Sequence, residues 1–459
     1  MMRFAAAIPM VLLLAACAED PVLTPSVPTT ITRVGGEVGT PGWLLTDGLS
    51  VVVRDHRGEP LEGIAVEWSS SEEGAWFGAA SSETDVDGVA AVDFAPGWRV
   101  GDQQVRVTIG ALVQDVVVES SSMAFTEVAI NSHGNACGLD GDGTVWCWMA
   151  QGVSGRFEPP APLHAGSRPV VVDAGNTYRD LVSIGLPAHL AEHCGLTMAM
   201  QMRCWYLDGG ATTQVRTIAT PVPFVSLTAS EWYPSICGLD ATGQAWCRGA
   251  NAHGQLGDGT RSERTEFAPV AGAQRFKRLA TQGSAFCGID VDDLAWCWGT
   301  VGQQRPADLI PTRMAGAVPL RQVSFSYGSP CGIGMLDHLL YCWWGGQMEG
   351  VPATGTDAVV VPTRAGLLEM AGDGGLGVFR WTDGHLGFTG DMAHDMGVNR
   401  FVRRPTDLHT EGNDYLPSLP DGFTSILTQG GEWWCGAHQG GATICAYRVN
   451  RLLGVPAPQ

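Results

Sequence analysis

The chain has 459 residues, enough for two or three domains and a sizeable core. It carries 27 Lys and Arg against 47 Asp and Glu, a formal charge of −20, which excludes a nucleic-acid binder that needs a basic surface. Only 16% of residues are charged and 45% are hydrophobic, which excludes wholesale disorder.

The chain opens MMRFAAAIPMVLLLAAC. Arg3 precedes an apolar run from Phe4 to Ala16, the layout of a secretory signal peptide. The run falls short of the roughly 20 apolar residues a transmembrane helix needs. Leu14-Ala15-Ala16-Cys17 resembles the bacterial lipobox, in which the Cys is diacylated and becomes the new N-terminus. That resemblance implies a lipoprotein signal peptide over residues 1–16 and a lipid anchor on Cys17. Plain cleavage would leave a free thiol at the surface, a liability outside the cell. Ala18 stands where an inner-membrane retention signal has Asp, which points to the outer membrane or cell surface, facing outward or into the periplasm. Residues 17–30, the lipidated Cys and a Pro- and Thr-rich stretch, read as a linker.

Residues 31–121 contain no Cys. LSVVVRDHRGEPLEGIAVEWSS (49–70), TDVDGVAAVDF (84–94) and VRVTIG (105–110) alternate apolar and polar residues between turn signals at 56–60, 85–88 and 96–102. This predicts a β-sandwich. The pattern resembles invasin-type bacterial Ig-like domains, which implies a spacer and places Trp68 in the core.

Twelve further Cys fall into pairs: Cys137/Cys147, Cys194/Cys204, Cys237/Cys247, Cys287/Cys297, Cys331/Cys342 and Cys435/Cys445. Five pairs are ten residues apart and one eleven. Even number, regular pairing and export together predict disulfides. Zinc would need CxxC-like clusters and His partners, which do not occur. In a hairpin, facing residues share a constant index sum, so Cys137 opposite Cys147 puts Leu139 opposite Val145 and Gly138 opposite Trp146. The same register sets Gly238 against Trp246, Gly288 against Trp296 and Gly332 against Tyr341. The turns then need a left-handed third residue, supplied by Gly143, Gly243, Gly441 and Asp293. Met200 fits that place poorly and predicts an irregular turn. The Cys331/Cys342 hairpin calls for an even-length loop near Leu336-Asp337.

Apolar segments precede the hairpins at Phe125, Tyr178, Phe224, Phe276, Leu320, Leu367 and Phe423, in steps of 53, 46, 52, 44, 47 and 56 residues. Seven such repeats of short strands signal a β-propeller. The sixth lacks Cys, and aligning its Asp383-Gly384 turn puts Val378 and Phe388 in the Cys places and Phe379 opposite Gly387. CGLDGDGTVWCW (137–148), CGLDATGQAWCRGANAHGQLGDGT (237–260) and CGIDVDDLAWCWG (287–299) resemble the regulator-of-chromosome-condensation repeat family, over about residues 122–459. Asn251 to Thr260 carries the one full match to that family's Asn-x-x-Gly-Gln-Leu-Gly-x-Gly-Thr stretch. The resemblance implies a seven-bladed propeller. The fold class is therefore all-β, a seven-bladed β-propeller plus a small Ig-like β-sandwich. Only 37 residues remain from Phe423, so closure is expected to borrow a strand from just before Phe125.

No Gly-x-Ser-x-Gly elbow, His-Glu-x-x-His or phosphate loop occurs, and no catalytic set or cofactor is predicted. Asp140-Gly-Asp142-Gly and Asp85-Val-Asp87-Gly faintly resemble calcium loops but lack the bidentate Glu, and turn chemistry explains them. Trp146, Trp246 and Trp296 share one repeat position, which assigns them to blade packing; Trp148, Trp298, Trp343-Trp344 and Trp433-Trp434 stay open. The longest connection, Thr389 to Gly422, carries Asp391, His394, Asp395, Arg400, Arg403, Arg404, His409 and Glu411. It is the candidate partner-binding loop, because binding residues concentrate on long loops of rigid scaffolds.

These features predict a monomeric, lipid-anchored binding or adhesion module of the cell envelope. Its expected contacts are the membrane through the lipid and a protein or glycan through the propeller loops. The alternatives are a polysaccharide-active enzyme with its site at the propeller mouth and an inhibitor of a secreted enzyme. Nucleotide exchange, the activity of the family's namesake, is excluded for an exported chain.

Overall fold

The computed structural model describes residues 27–454, apart from 37, 41–44, 46, 74, 98, 132–133, 150–168, 186–190, 209–210, 213, 302–306, 317, 327, 344–356, 362, 364, 374–375, 392–400, 408–421, 428–432 and 448–452. Every regular element among the described residues is a strand. Alternation in the N-terminal part buries one side of each strand. Thr30–Gly35, Leu49–Arg54 and Val89–Val92 form a three-stranded sheet. Val38–Gly39, Leu112–Ser120, Gly101–Ile109, Ala65–Ser70 and Ser81–Glu83 form a five-stranded sheet in that order. The two share a core containing Val51, Val53, Val66, Trp68, Phe94, Val105, Val107 and Val118. Trp68 is in that core as expected, with its indole N–H donating to Ser82 Oγ at 3.0 Å.

From residue 127 onward the chain makes seven consecutive antiparallel sheets. Their first strands are Glu127–Ile130, Tyr178–Gly185, Phe224–Ser230, Phe276–Gln282, Leu320–Ser326, Leu367–Asp373 and Phe423–Ile426. Each first strand touches the next, and blade 7 touches blade 1, so the ring closes as a β-propeller. The hairpin register is the one the Cys spacing predicts. All six pairs face each other directly and are bridged, with Cα–Cα distances of 4.0–4.1 Å. In blade 6, Val378 faces Phe388 and Phe379 faces Gly387.

Blade 5 departs from the other bridged hairpins at Cys342. Cys331 and Cys342 are joined and face each other, but the strand Leu340–Cys342 stops at the cysteine. In the other five bridged blades the matching strand continues past its Cys, as Val145–Met149 does past Cys147. The extra residue is taken up in the turn, where Gly334 N–H donates to Leu339 O at 2.9 Å around the four residues Met335 to His338. That is the even-length loop expected there, and His338 takes its left-handed place at φ 57°. Trp343 N–H donating to Pro330 O at 3.0 Å holds the chain beyond Cys342 to its neighbour.

Three expectations are corrected. Met200 does not spoil its turn; it takes the left-handed conformation at φ 60°, as Asp293 does at φ 65°. Closure borrows no strand, because Leu453–Gly454 supplies the outer strand of blade 7. The seam is instead stitched by Phe125 N–H donating to Thr443 Oγ1 at 3.0 Å and Val128 N–H donating to Leu427 O at 2.9 Å. The connection from Thr389 to Gly422 is not one loop, since Phe401–Asp407 is the outer strand of blade 6. Short edge strands carry little alternation, which is why both outer strands are hard to read from sequence.

A large residue at the start of each first-strand segment explains the Gly facing it inside six blades. A Cβ on Gly238 would lie 2.3 Å from the Phe224 ring, and one on Gly138 2.6 Å from the Phe125 ring. Tyr178, Phe276, Leu320 and Phe423 lie similarly close over Gly195, Gly288, Gly332 and Gly436. In blade 6 the pair is rearranged, with Leu367 in the first place and Phe379 where the others have Gly.

Candidate functional site

Among the described residues, two places have the features of a site: the axial cavity and one aromatic loop. The cavity, about 430 Å³, is lined by first strands of blades 1, 2, 3, 4 and 7, which converge there. The acidic members are Glu127, Asp180 and Glu231, accompanied by Arg179, Ser183 and Thr281.

Glu127 and Asp180 hydrogen-bond to each other. Burial, then the neighbouring Asp180 charge, holds Glu127 well above the ordinary carboxylate range. Burial also raises Asp180, against the lowering pull of the Leu227 N–H, which donates to Asp180 Oδ2 at 2.5 Å. Perturbed carboxyls in a cavity are the arrangement an acid–base catalyst uses. Sequence reasoning misses the pair, because its members lie one repeat apart and each alone looks like an ordinary strand residue.

The aromatic loop joins the first and second strands of blade 3. Trp232 is 56% exposed and Tyr233 41% exposed. The Tyr233 ring stands edge-on to His253, 4.6 Å between centroids. The base of the loop is held by Ser230 Oγ donating to Gly283 O at 2.5 Å and Ser235 Oγ donating to Tyr233 O at 2.9 Å. His253 belongs to the Asn251–Thr260 stretch, where Asn251 Oδ1 accepts from Leu256 N–H at 2.9 Å and Nδ2 donates to Thr260 O at 3.1 Å. The neighbouring stretch is therefore tied by its own hydrogen bonds.

Of the predicted loop residues, His394, Asp395, Arg400, His409 and Glu411 lie outside the described residues. Arg403 and Arg404 lie on the strand Phe401–Asp407, and Asp391 ends the strand Leu386–Asp391. Cys17 and the signal segment also lie outside the described residues.

The Asp-Gly turns behave as turn chemistry predicts. Asp140 Oδ1 accepts from Asp142 and Thr144 N–H at 3.0 and 2.9 Å, while Oδ2 accepts from the Trp146 indole at 2.8 Å. Asp240–Trp246 and Asp290–Trp296 repeat this at 3.0 and 2.7 Å. Blade 5 uses Tyr341 for the same purpose, its hydroxyl donating to Asp337 Oδ2 at 2.7 Å one residue before Cys342. Trp146, Trp246 and Trp296 thus brace their turns while packing, partly buried, against the preceding blade. Deeper blade packing belongs to the other Trp residues: Trp148, Trp298, Trp343 and Trp434 are 0–4% exposed. Among the described residues, one cluster has metal-like spacing, Glu192 with Cys194 and Cys204, and its two sulfurs are joined to each other in a disulfide.

No family profile matches the chain, and no curated protein matches it. Among solved structures, human WBSCR16 is similar at 13% identity with a TM-score of 0.53, covering 80% of this chain and 97% of that one. Yeast RCC1 (Prp20), solved bound to Kap60, is similar at 14% identity and a TM-score of 0.39, over 72% of this chain and 74% of its own. Prp20p from Saccharomyces cerevisiae, described together with its binding to Gsp1p and histones, gives 15% identity and 0.39, over 72% and 76%. At these identities the likeness, carried by WBSCR16, is one of fold, and the fold of this chain from residue 127 onward is a β-propeller.

Proposed function

We propose that this chain is a lipid-anchored binding module of the bacterial cell envelope. Cys17 carries the lipid, the Ig-like sandwich is the spacer, and the propeller holds a protein partner. The carrying observation is the Trp232–Tyr233 pair, exposed on a loop pinned at both ends. Exposed Trp and Tyr on a rigid scaffold are the residue types that dominate protein-binding energetics. The acidic charge of −20 favours a partner with a basic contact surface. In crosslinking on intact cells, Trp232→Ala should lose the partner bands while keeping wild-type thermal stability. Identical bands from both proteins would remove the aromatic loop from the reading. Mass spectrometry of the mature N-terminal peptide tests the anchor separately, with a diacylated Cys17 expected.

A second reading, a polysaccharide-active enzyme, is favoured by the axial cavity and its perturbed Glu127–Asp180 pair. Glycan turnover by the wild type that disappears in Glu127→Gln would support it.

A further inference from the structure

We propose that Glu127 and Asp180 form a proton-bridged clasp between blades 1 and 2, which ties the inner ring while the proton is held and loosens it when the proton leaves. The argument begins with backbone. Each first strand from blade 2 to blade 7 has a register shift one residue after its large first residue, as between Tyr178 and Asp180 or between Leu320 and Gln322. A bulge re-aims the side chain that follows it. In blades 2, 5 and 6 that side chain reaches the neighbouring blade. Asp180 Oδ2 accepts from Leu227 N–H of blade 3. Gln322 Oε1 accepts from Met370 N–H at 3.1 Å, and its Nε2 donates to Met370 O at 2.6 Å. Glu369 Oε2 accepts from Ile426 N–H at 2.9 Å. On blade 1, Glu127 occupies the matching position beside Leu181, whose N–H donates to Asp180 Oδ1 at 2.9 Å and also favours the ionised form of Glu127. One position thus links blade 1 to 2, 2 to 3, 5 to 6 and 6 to 7.

The first link differs from the rest. Glu127 and Asp180 also bond to each other, and two carboxyl groups can do so only with a proton between them, because an ionised carboxylate has no donor. Like charges this close in an enclosed site cannot both ionise. Among the described residues, the other charged side chains lining the cavity are Arg179 from blade 2 and Glu231 from blade 3. Arg179 favours ionisation of Asp180, which leaves the proton on Glu127. Blades 1, 4 and 7 bring Thr126, Thr281, Ile426 and Leu427, none of them charged.

The sign follows. A carboxyl whose folded pKa is raised binds its proton more tightly in the native state. Its contribution is fully present below the unfolded carboxyl value and is lost as pH rises through the folded value. Gln322 shows what removes this dependence: an amide offers a fixed N–H and a carbonyl oxygen at the same position.

Thermal unfolding of the full mature chain between pH 5 and pH 9 tests the clasp. The wild type should lose Tm as pH rises. Glu127→Gln should match it at pH 5 and exceed it at pH 9 by at least about 2 °C. An equal offset at both pH values would overturn the proposal. Infrared spectroscopy of the wild type supplies a readout that needs no variant. A protonated-carboxyl band should persist at neutral pH, and its absence there would equally overturn the clasp.

Discussion

The indole N–H of Trp205 in blade 2 donates to Cys147 Sγ in blade 1 at 3.3 Å, and this contact shows how the disulfides are enclosed. Phe224 shares a buried cluster with the Cys194–Cys204 bridge, Trp298 with Cys237–Cys247, Trp343 with Cys287–Cys297, and Trp148 with Cys435–Cys445 across the closing seam. In blade 5, where the strand ends at Cys342, Phe379 and Trp381 of blade 6 close over Cys331–Cys342. Each rung is sealed by an aromatic residue of the next blade, and the bridged sulfurs belong to residues 0–5% exposed.

A reductant should therefore fail to reach the bridges until blades separate. Dithiothreitol without denaturant is expected to leave all six disulfides intact in alkylation mass spectrometry, and to reduce them in guanidinium. Each bridge closes a loop of about ten residues, so Cys137→Ala with Cys147→Ala should cost about 2–3 kcal/mol in urea titration. Ready reduction of the native protein would contradict the sealing.

The close fit of Phe224 over Gly238 leaves no room for a methyl group. Gly238→Ala should destabilise by about 1–3 kcal/mol, the usual cost of overpacking. Combined with Phe224→Ala, it should cost less than the sum of the two single losses, because residues in contact couple in double-mutant cycles. Additive losses would show that the ring is not the obstacle.

His193, on the second strand of blade 2, is fully buried, and neither ring nitrogen has a hydrogen-bond partner among the described residues. Burial pushes its pKa down to about 3. The folded state thus binds the proton less tightly than the unfolded chain, whose His titrates near 6.5. Stability from this site is complete above that value and falls as pH drops toward the folded value, by about 1.4 kcal/mol per pH unit at most. His193→Leu should flatten the loss between pH 6 and pH 4 in chemical denaturation, and an unchanged slope would assign that loss elsewhere.

Asp240 titrates below its ordinary value. Burial raises it, but hydrogen bonds from Thr242, the Trp246 indole and the turn backbone outweigh that effect. Its contribution is therefore present above the unfolded carboxyl value and lost as pH falls through the folded one. The stability gap between wild type and Asp240→Asn should be widest near neutrality and narrow below about pH 4. A gap that stays constant into acid would mean that turn geometry alone, without charge, is at stake.

What the sequence determined by itself was local. Hairpin register follows from two Cys, a turn residue and a period of two, all within about a dozen residues, so Cys137 opposite Cys147, Cys331 opposite Cys342 and Val378 opposite Phe388 are readable without tertiary information. The repeat spacing likewise carried the propeller. Tertiary structure decided whatever depends on one blade meeting another. It buried Trp148 and Trp298 more deeply than Trp146 and Trp296, and it placed Glu127 against Asp180 at the axis. The reason is physical: neighbours across blades are one repeat apart in the chain, and only ring closure and the bulge that turns a side chain sideways bring them into contact.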